Sequence, residues 1–166
     1  TGCRRRRTRR RNHLHPQLTP ASEMAVDSRT LGWMMRALGH EMAAVQQYLA
    51  QSVLARLWGD ERLAAELRRE AEEELDHAAA LMEHLIAHGV APSAGNLPPA
   101  RLGRSSAELV AHDAQLEADA LHLYNEAARH ARRVRDDTSA RLFERLLHEE
   151  SFHLQKLTTD QGAFHG

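Results

Sequence analysis

The residues best placed to do chemistry lie in "EEELDHAAALMEH", residues 72–84, where Glu74 and His77 are three apart. On a helix that spacing puts a carboxylate and an imidazole on one face. Alone the pair carries little weight. A chain with 15 Glu and 12 His produces such a pair by chance, and charged helix faces are usually just solvated. Repetition is what gives it meaning. Glu41 is followed seven positions later by Tyr48, and Glu117 is followed seven positions later by Tyr124. The interval from Glu41 to Glu74 is identical to that from Glu117 to Glu150. His153 then follows Glu150 by three, as His77 follows Glu74. The chain therefore carries E-x6-Y and then E-x2-H twice at identical spacing, an internal repeat of one helical hairpin.

One Glu from each of two helices, plus a Glu-x-x-His from each of two others, is the ligand set of di-iron carboxylate bundles. Carboxylates suit hard iron and one carboxylate can bridge two ions, while each imidazole adds a nitrogen. Four carboxylates balance two divalent cations, so a filled site can be buried. An empty one is costly unless some carboxylates hold protons.

These residues need four helices to carry them, and the chain supplies four. The first runs from about Ser28 to Trp58, with "DS" as cap candidates and Gly59 as its stop. The second begins after Asp60 and ends at Gly89, a residue suited to a left-handed cap. The short "WGDE" link makes these two an antiparallel hairpin. Pro and Gly in residues 90–106 break any helix, and the segment is long enough to cross a bundle. The third helix is expected from Ser106 to about Val134 and the fourth from about Ser139 to Leu157. The fold class is therefore all-α, a ferritin-like antiparallel four-helix bundle of two hairpins joined by a long crossover.

Composition agrees. Ala, Leu, Glu and Arg dominate, aromatics are 4%, and no segment alternates as a strand would. A chain of 166 residues fits one domain, read as an Arg-rich disordered extension (1–27), the bundle (28–158) and a short tail (159–166). Residues 4–11, "RRRRTRRR", hold seven Arg; taking them from a net charge of −1 leaves −8 for the body. An acidic body suits cations better than nucleic acid. A twin-arginine export signal would need an apolar stretch next, and "NHLHPQLTPASEM" is not one. Met24 is a candidate start. The single Cys3 suits a reducing, cytoplasmic setting, and no apolar run reaches the ~18 residues that span a bilayer.

The sequence resembles the bacterioferritins over about residues 28–158. "LGHEMAAVQQY" is similar to that family's first-helix signature, "WG" closes the helix in the same place, and six ligand positions match. The resemblance implies a cytoplasmic ferroxidase and iron-storage protein that binds two irons per subunit and uses O₂ or H₂O₂. It implies that Glu74 and Glu150 bridge the irons, that Glu41 and His77 complete one, and that Glu117 and His153 complete the other. Tyr48 matches a family tyrosine beside the irons, a hydrogen-bond or electron donor. Tyr124 is read instead as a core residue with a satisfied hydroxyl. The family's haem-ligating Met is replaced by Leu75, which has no lone pair to offer, so little or no haem b is expected. The expected partner is a further copy of the chain, as a dimer or a 24-subunit shell, although only a short stretch, ending "KLTTDQGAFHG", follows His153.

Other residues have simpler readings. Met42, Met82, Trp33 and Trp58 are read as core or interface, His84 and His88 as surface residues, and Glu70 as a solvated or cavity-facing carboxylate. Two rival functions share these features. One is a di-iron oxidase, oxygenase or peroxide scavenger, which a hydrophobic channel beside the irons would favour. The other is a DNA-protecting miniferritin using the Arg segment. Miniferritins place their sites between subunits, whereas the six ligands here lie in one chain.

Overall fold

The computed structural model describes residues 26–163. They form α1 (Ser28–Leu57), α2 (Glu61–Ala87), α3 (Ser106–Arg133) and α4 (Asp137–Ala163), with no strand among the described residues. The expected all-α bundle of two hairpins is the observed architecture. The Arg-rich segment, Cys3 and Met24 lie outside the described residues.

The helix starts follow from side chains that satisfy the first free N–H groups. Asp27 accepts from Thr30 N at 3.0 Å, Asp60 from Leu63 N at 2.9 Å, and Asp136 from Ser139 N at 3.0 Å. Ser105 caps α3 at Glu108 N, and Glu108 reaches back to Arg104 N. Gly59 (φ 81°) and Gly89 (φ 72°) end α1 and α2 in the left-handed region. Helix α4 runs past the expected stop at Leu157 to Ala163. The Thr pair at 158–159 does not end it, because both hydroxyls bond back to carbonyls of their own helix and leave its ladder intact.

Cross-helix bonds fix the directions. Asp27, at the start of α1, meets His130 near the end of α3, while Gln47 in the later half of α1 meets Asp113 early in α3. The helices α1 and α3 are therefore antiparallel. Lys156 on Glu70, His153 on Glu73 and Ser139 near His84 make α2 and α4 antiparallel as well. The crossover lies against the bundle, held by Gln46 Nε2 to Pro98 O (2.8 Å) and Gln51 Nε2 to Arg101 O (3.1 Å). A Cβ at Gly39 would stand 2.9 Å from the Ala94 carbonyl oxygen, so this close crossing requires glycine.

Two apolar clusters flank the middle of the bundle. One holds Met34, Leu38, Leu81, Leu85, Phe143 and Leu146, with Met42 and Met82 packed against it as expected. The other is richer in alanine, with Ala44, Ala71, Tyr48, Leu67 and Leu109. Each buried leucine contributes ~1.5–3 kcal/mol relative to an exposed one. On α1, α2 and α3 a buried carboxylate lies between residues of these clusters, and on α4 Glu150 follows the last of them, Leu146.

Candidate di-metal centre

Glu41 (α1), Glu74 (α2), Glu117 (α3) and Glu150 (α4) are each at most 2% exposed. They meet at one level, with His77 and His153 beside them. One set of close ligand atoms is Glu41, Glu74, His77 and Glu150; the other is Glu74, Glu117, Glu150 and His153. Within each set these atoms lie within 4.8 Å of one another. Glu74 and Glu150 belong to both sets, and the other four residues divide one carboxylate and one imidazole to each. The structure thus brings all six expected residues together.

The imidazoles face inward through Nδ1. His77 Nδ1 is 2.8 Å from Glu150 Oε1 and 3.1 Å from Glu74 Oε2. His153 Nδ1 is 3.2 Å from both Glu74 Oε1 and Glu150 Oε2. The rings stack with centroids 5.6 Å apart. Their outer nitrogens meet carboxylates: His77 Nε2 is 3.1 Å from Glu149, and His153 Nε2 is 2.9 Å from Glu73.

Tyr48 donates its hydroxyl to Glu117, as expected for a tyrosine beside the site. Tyr124 is fully buried with its hydroxyl satisfied, also as read from the sequence, but its acceptor is Glu41. The two tyrosines are therefore equivalent. Sequence reasoning passed over this role for Tyr124, and over Glu73 and Glu149 altogether. The signal was present. Glu41, Tyr48, Glu73, Glu74 and His77 each recur at one constant offset, as Glu117, Tyr124, Glu149, Glu150 and His153.

The remaining candidates lie elsewhere. Leu75 is 46% exposed and outside the cluster. His84 bonds Ser139 at 3.0 Å, and His88 bonds the His84 carbonyl at 2.7 Å, so both are tied near the α2 terminus. Glu70 is nearly buried, is paired with Lys156, and lies close to Glu73 and His153. Trp33 stacks under Arg36, and Trp58 is substantially exposed.

Electrostatics split the carboxylates into two kinds. Burial pushes Glu41 well up, aided by the charges of Glu74 and Glu150. Burial also pushes Glu117 up to about 10, aided by Glu150 and Glu74. Burial acts the same way on Glu74 and Glu150, but the close imidazoles of His153 and His77 hold both below the ordinary range. Burial disfavours charge on the imidazoles too. Glu150 and Glu74 overcome it, raising His77 to about 11 and His153 to about 12. Without a cation these shifts favour the charged forms of Glu74, Glu150, His77 and His153 and the neutral acid forms of Glu41 and Glu117.

Glu41 Oε2, Glu74 Oε1, both Glu150 oxygens and His153 Nδ1 are buried with no well-directed hydrogen-bond partner. The short contacts to some of them are off-axis. Orphaned buried acceptors of this kind are costly. A cluster of oxygens with two nitrogens suits iron-like divalent cations, whose charge would compensate it. The residues present fit a pair of such ions.

A bundle of two antiparallel hairpins, with four carboxylates and two imidazoles converging in its core where they could hold a metal ion, has the layout of a ferritin-like protein. Comparison with known proteins agrees. The ferritin family, described as a ferritin-like domain, matches residues 34–161, and the chain belongs to it. A bacterioferritin from Rhodobacter capsulatus is 32% identical over 136 residues, covering 82% of this chain and 84% of that protein. Another, from Brucella melitensis biotype 1, is 34% identical over 123 residues, covering 74% and 76%. One from Streptomyces coelicolor is 28% identical over 82% of this chain and 81% of its own length.

Proposed function

We propose that this chain is a ferroxidase that oxidises Fe²⁺ to Fe³⁺ and stores the product. The observation that carries this reading is the pair of ligand sets sharing Glu74 and Glu150. We assign Glu74 and Glu150 as bridging ligands, Glu41 and His77 as holders of one ion, and Glu117 and His153 as holders of the other. Two Fe²⁺ together supply the two electrons that reduce O₂ to H₂O₂, or H₂O₂ to water.

The chain's own groups prepare this step. Glu41 and Glu117 release carboxyl protons on loading, and His77 and His153 release their Nδ1 protons, so incoming positive charge is matched by departing positive charge. Tyr48 and Tyr124 keep their protons, because burial raises both phenols far above their ordinary value. They serve as fixed donors to Glu117 and Glu41.

The surroundings favour a cation over an organic substrate. An open recess of about 270 Å³ over the two imidazoles is lined by Glu73, Asp76, Arg145 and Glu149 rather than by apolar groups. No helix among the described residues is long and apolar enough to cross a membrane, and the single cysteine suits a reducing cytoplasm. Leu49, Val53 and Leu57, spaced by four on α1, expose one apolar stripe, and Leu75 is exposed on α2. That surface supports assembly with further copies of the chain, as a dimer or a larger shell. Leu75 offers no axial ligand, so haem b is not part of the proposed cofactor set.

Anaerobic titration of the metal-free protein with Fe²⁺ tests the reading, followed by mixing with O₂ or H₂O₂. Two ions bound per chain and oxidation faster than in buffer are expected. Absence of stoichiometric binding would sink the assignment.

A further inference from the structure

Each candidate ligand outside the shared pair is braced by a residue from the opposite hairpin. Tyr48 on α1 holds Glu117 on α3, and Tyr124 on α3 holds Glu41 on α1. The imidazoles follow the same rule. Glu149 on α4 meets His77 on α2, and Glu73 on α2 meets His153 on α4, at 3.1 and 2.9 Å. Both contacts are to Nε2, the nitrogen turned away from the carboxylate cluster.

A neutral imidazole carries its proton on one nitrogen only, and the partner of the other nitrogen decides which. A carboxylate at Nε2 keeps the proton there and leaves the Nδ1 lone pair pointing at the site. It also fixes the ring's rotation and makes Nδ1 a stronger donor. Glu73 and Glu149 stand directly before Glu74 and Glu150 in the chain. On a helix, adjacent side chains diverge by roughly 100°. Each E-E pair can therefore send one carboxylate into the core and the other across to the facing helix. Glu149 is anchored further by Arg145 Nη1 at 3.2 Å from its second oxygen.

We propose that Glu73 and Glu149 are positioning residues, which set the tautomer and orientation of His153 and His77 for cation binding through Nδ1. The inference rests on the di-metal reading of the site. It adds two residues outside the six ligands and gives the doubled acid of each half-site a use. The role is reciprocal. Neither hairpin alone can orient its own imidazole, so the two half-sites are assembled by docking the hairpins together.

Co²⁺ is a suitable probe, because its visible bands respond to a nitrogen ligand and it needs no oxidant. Affinity and spectrum are measured on the full-length protein for wild type, Glu73→Ala, Glu149→Ala, Glu73→Gln, Glu149→Gln and Glu72→Ala. The melting temperature of each metal-free variant is taken in parallel. Each Ala variant is expected to weaken one of the two sites about 10- to 100-fold and alter its band intensity. The Gln variants, whose amide oxygen still accepts from Nε2, should lie closer to wild type. Metal-free melting should barely move, since both carboxylates are at least a third exposed. Glu72, which pairs with Arg68 on the surface, controls for charge alone. Wild-type affinity and spectra in both Ala variants would overturn the proposal. So would an equal loss in Glu72→Ala, because the effect would then be only the field of a nearby acid. If wild type itself binds no two Co²⁺, the di-metal reading fails and this inference falls with it; normal wild-type binding with unaffected variants removes the inference alone.

Discussion

The two halves of the centre are near copies, and their small differences are instructive. In the half built on Glu41 and His77, the outer carboxylate Glu149 is held from both ends, by Arg145 and by the imidazole. In the half built on Glu117 and His153, the outer carboxylate Glu73 meets, among the described residues, only the imidazole. The nearby ammonium of Lys156 goes to Glu70 instead. His77 is slightly more buried than His153, at 7% against 11% of the side chain. The inner residues match and the outer ones have diverged. Residues that must converge on a common pair of ions are constrained by geometry, whereas a half-exposed carboxylate can find its support in several ways.

The strongest way to break the symmetry is to remove a shared ligand. Glu74→Ala or Glu150→Ala should slow Fe²⁺ oxidation by more than the ~100-fold that an outer partner can cost. Each variant damages both half-sites, because each carboxylate belongs to both ligand sets. Glu41→Ala and Glu117→Ala each damage one half, and should leave a single cation of near-normal affinity. Stopped-flow oxidation and binding stoichiometry check this together. Near wild-type rates in both Glu74→Ala and Glu150→Ala would refute a shared centre.

Much of this comparison was legible in the sequence. The six central residues and Tyr48 stand out as candidates because repeat spacing can be read without knowledge of the fold. The helices were found because Asp, Ser and Gly mark their ends by local chemistry. Other features were hidden for physical reasons. Tyr124 looks like any buried tyrosine until its acceptor is known to be Glu41. Glu73 and Glu149 look like solvated acids, since their partners lie far along the chain on another helix. The end of α4 is misplaced because residues 158–161 hold neither Gly nor Pro to mark a stop, and the helix runs on to Ala163.

A medium-sized effect concerns protons. In the metal-free protein His77 is raised to about 11, His153 to about 12 and Glu117 to about 10, so the folded state holds more protons than the unfolded chain. For the imidazoles this stabilisation is fully present below the unfolded value of 6.5. It drains away as pH rises towards those folded values. For Glu117 the loss starts above 4.5. Glu74 and Glu150 are shifted downwards, so their contribution is lost only in acid. The metal-free protein should therefore melt lower at about pH 9 than at about pH 6. Zn²⁺, which fits such a site without redox chemistry, should flatten that slope. Loading near neutrality should release two carboxyl and two imidazolium protons per chain into weak buffer. A metal-free melting temperature that climbs between those pH values would contradict the charge assignment.

The smallest effect sharpens the comparison most, because it asks whether the two tyrosines are truly equivalent. Tyr48→Phe and Tyr124→Phe each remove one buried hydroxyl and leave one carboxyl oxygen, on Glu117 or Glu41, without its donor. An orphaned buried acceptor costs about 1–3 kcal/mol. Each variant should therefore lower the metal-free melting temperature by several degrees, at roughly 2–4 °C per kcal/mol for a chain of this size. Both acids adjoin Glu74 and Glu150, so the double variant should depart from the sum of the single ones. If the hydroxyls act only as fixed donors, both single variants should slow Fe²⁺ oxidation to a similar, few-fold extent. Equal losses of stability with slower oxidation in Tyr48→Phe alone would give Tyr48 a further task, such as supplying an electron, and would end the equivalence of the half-sites at the phenols.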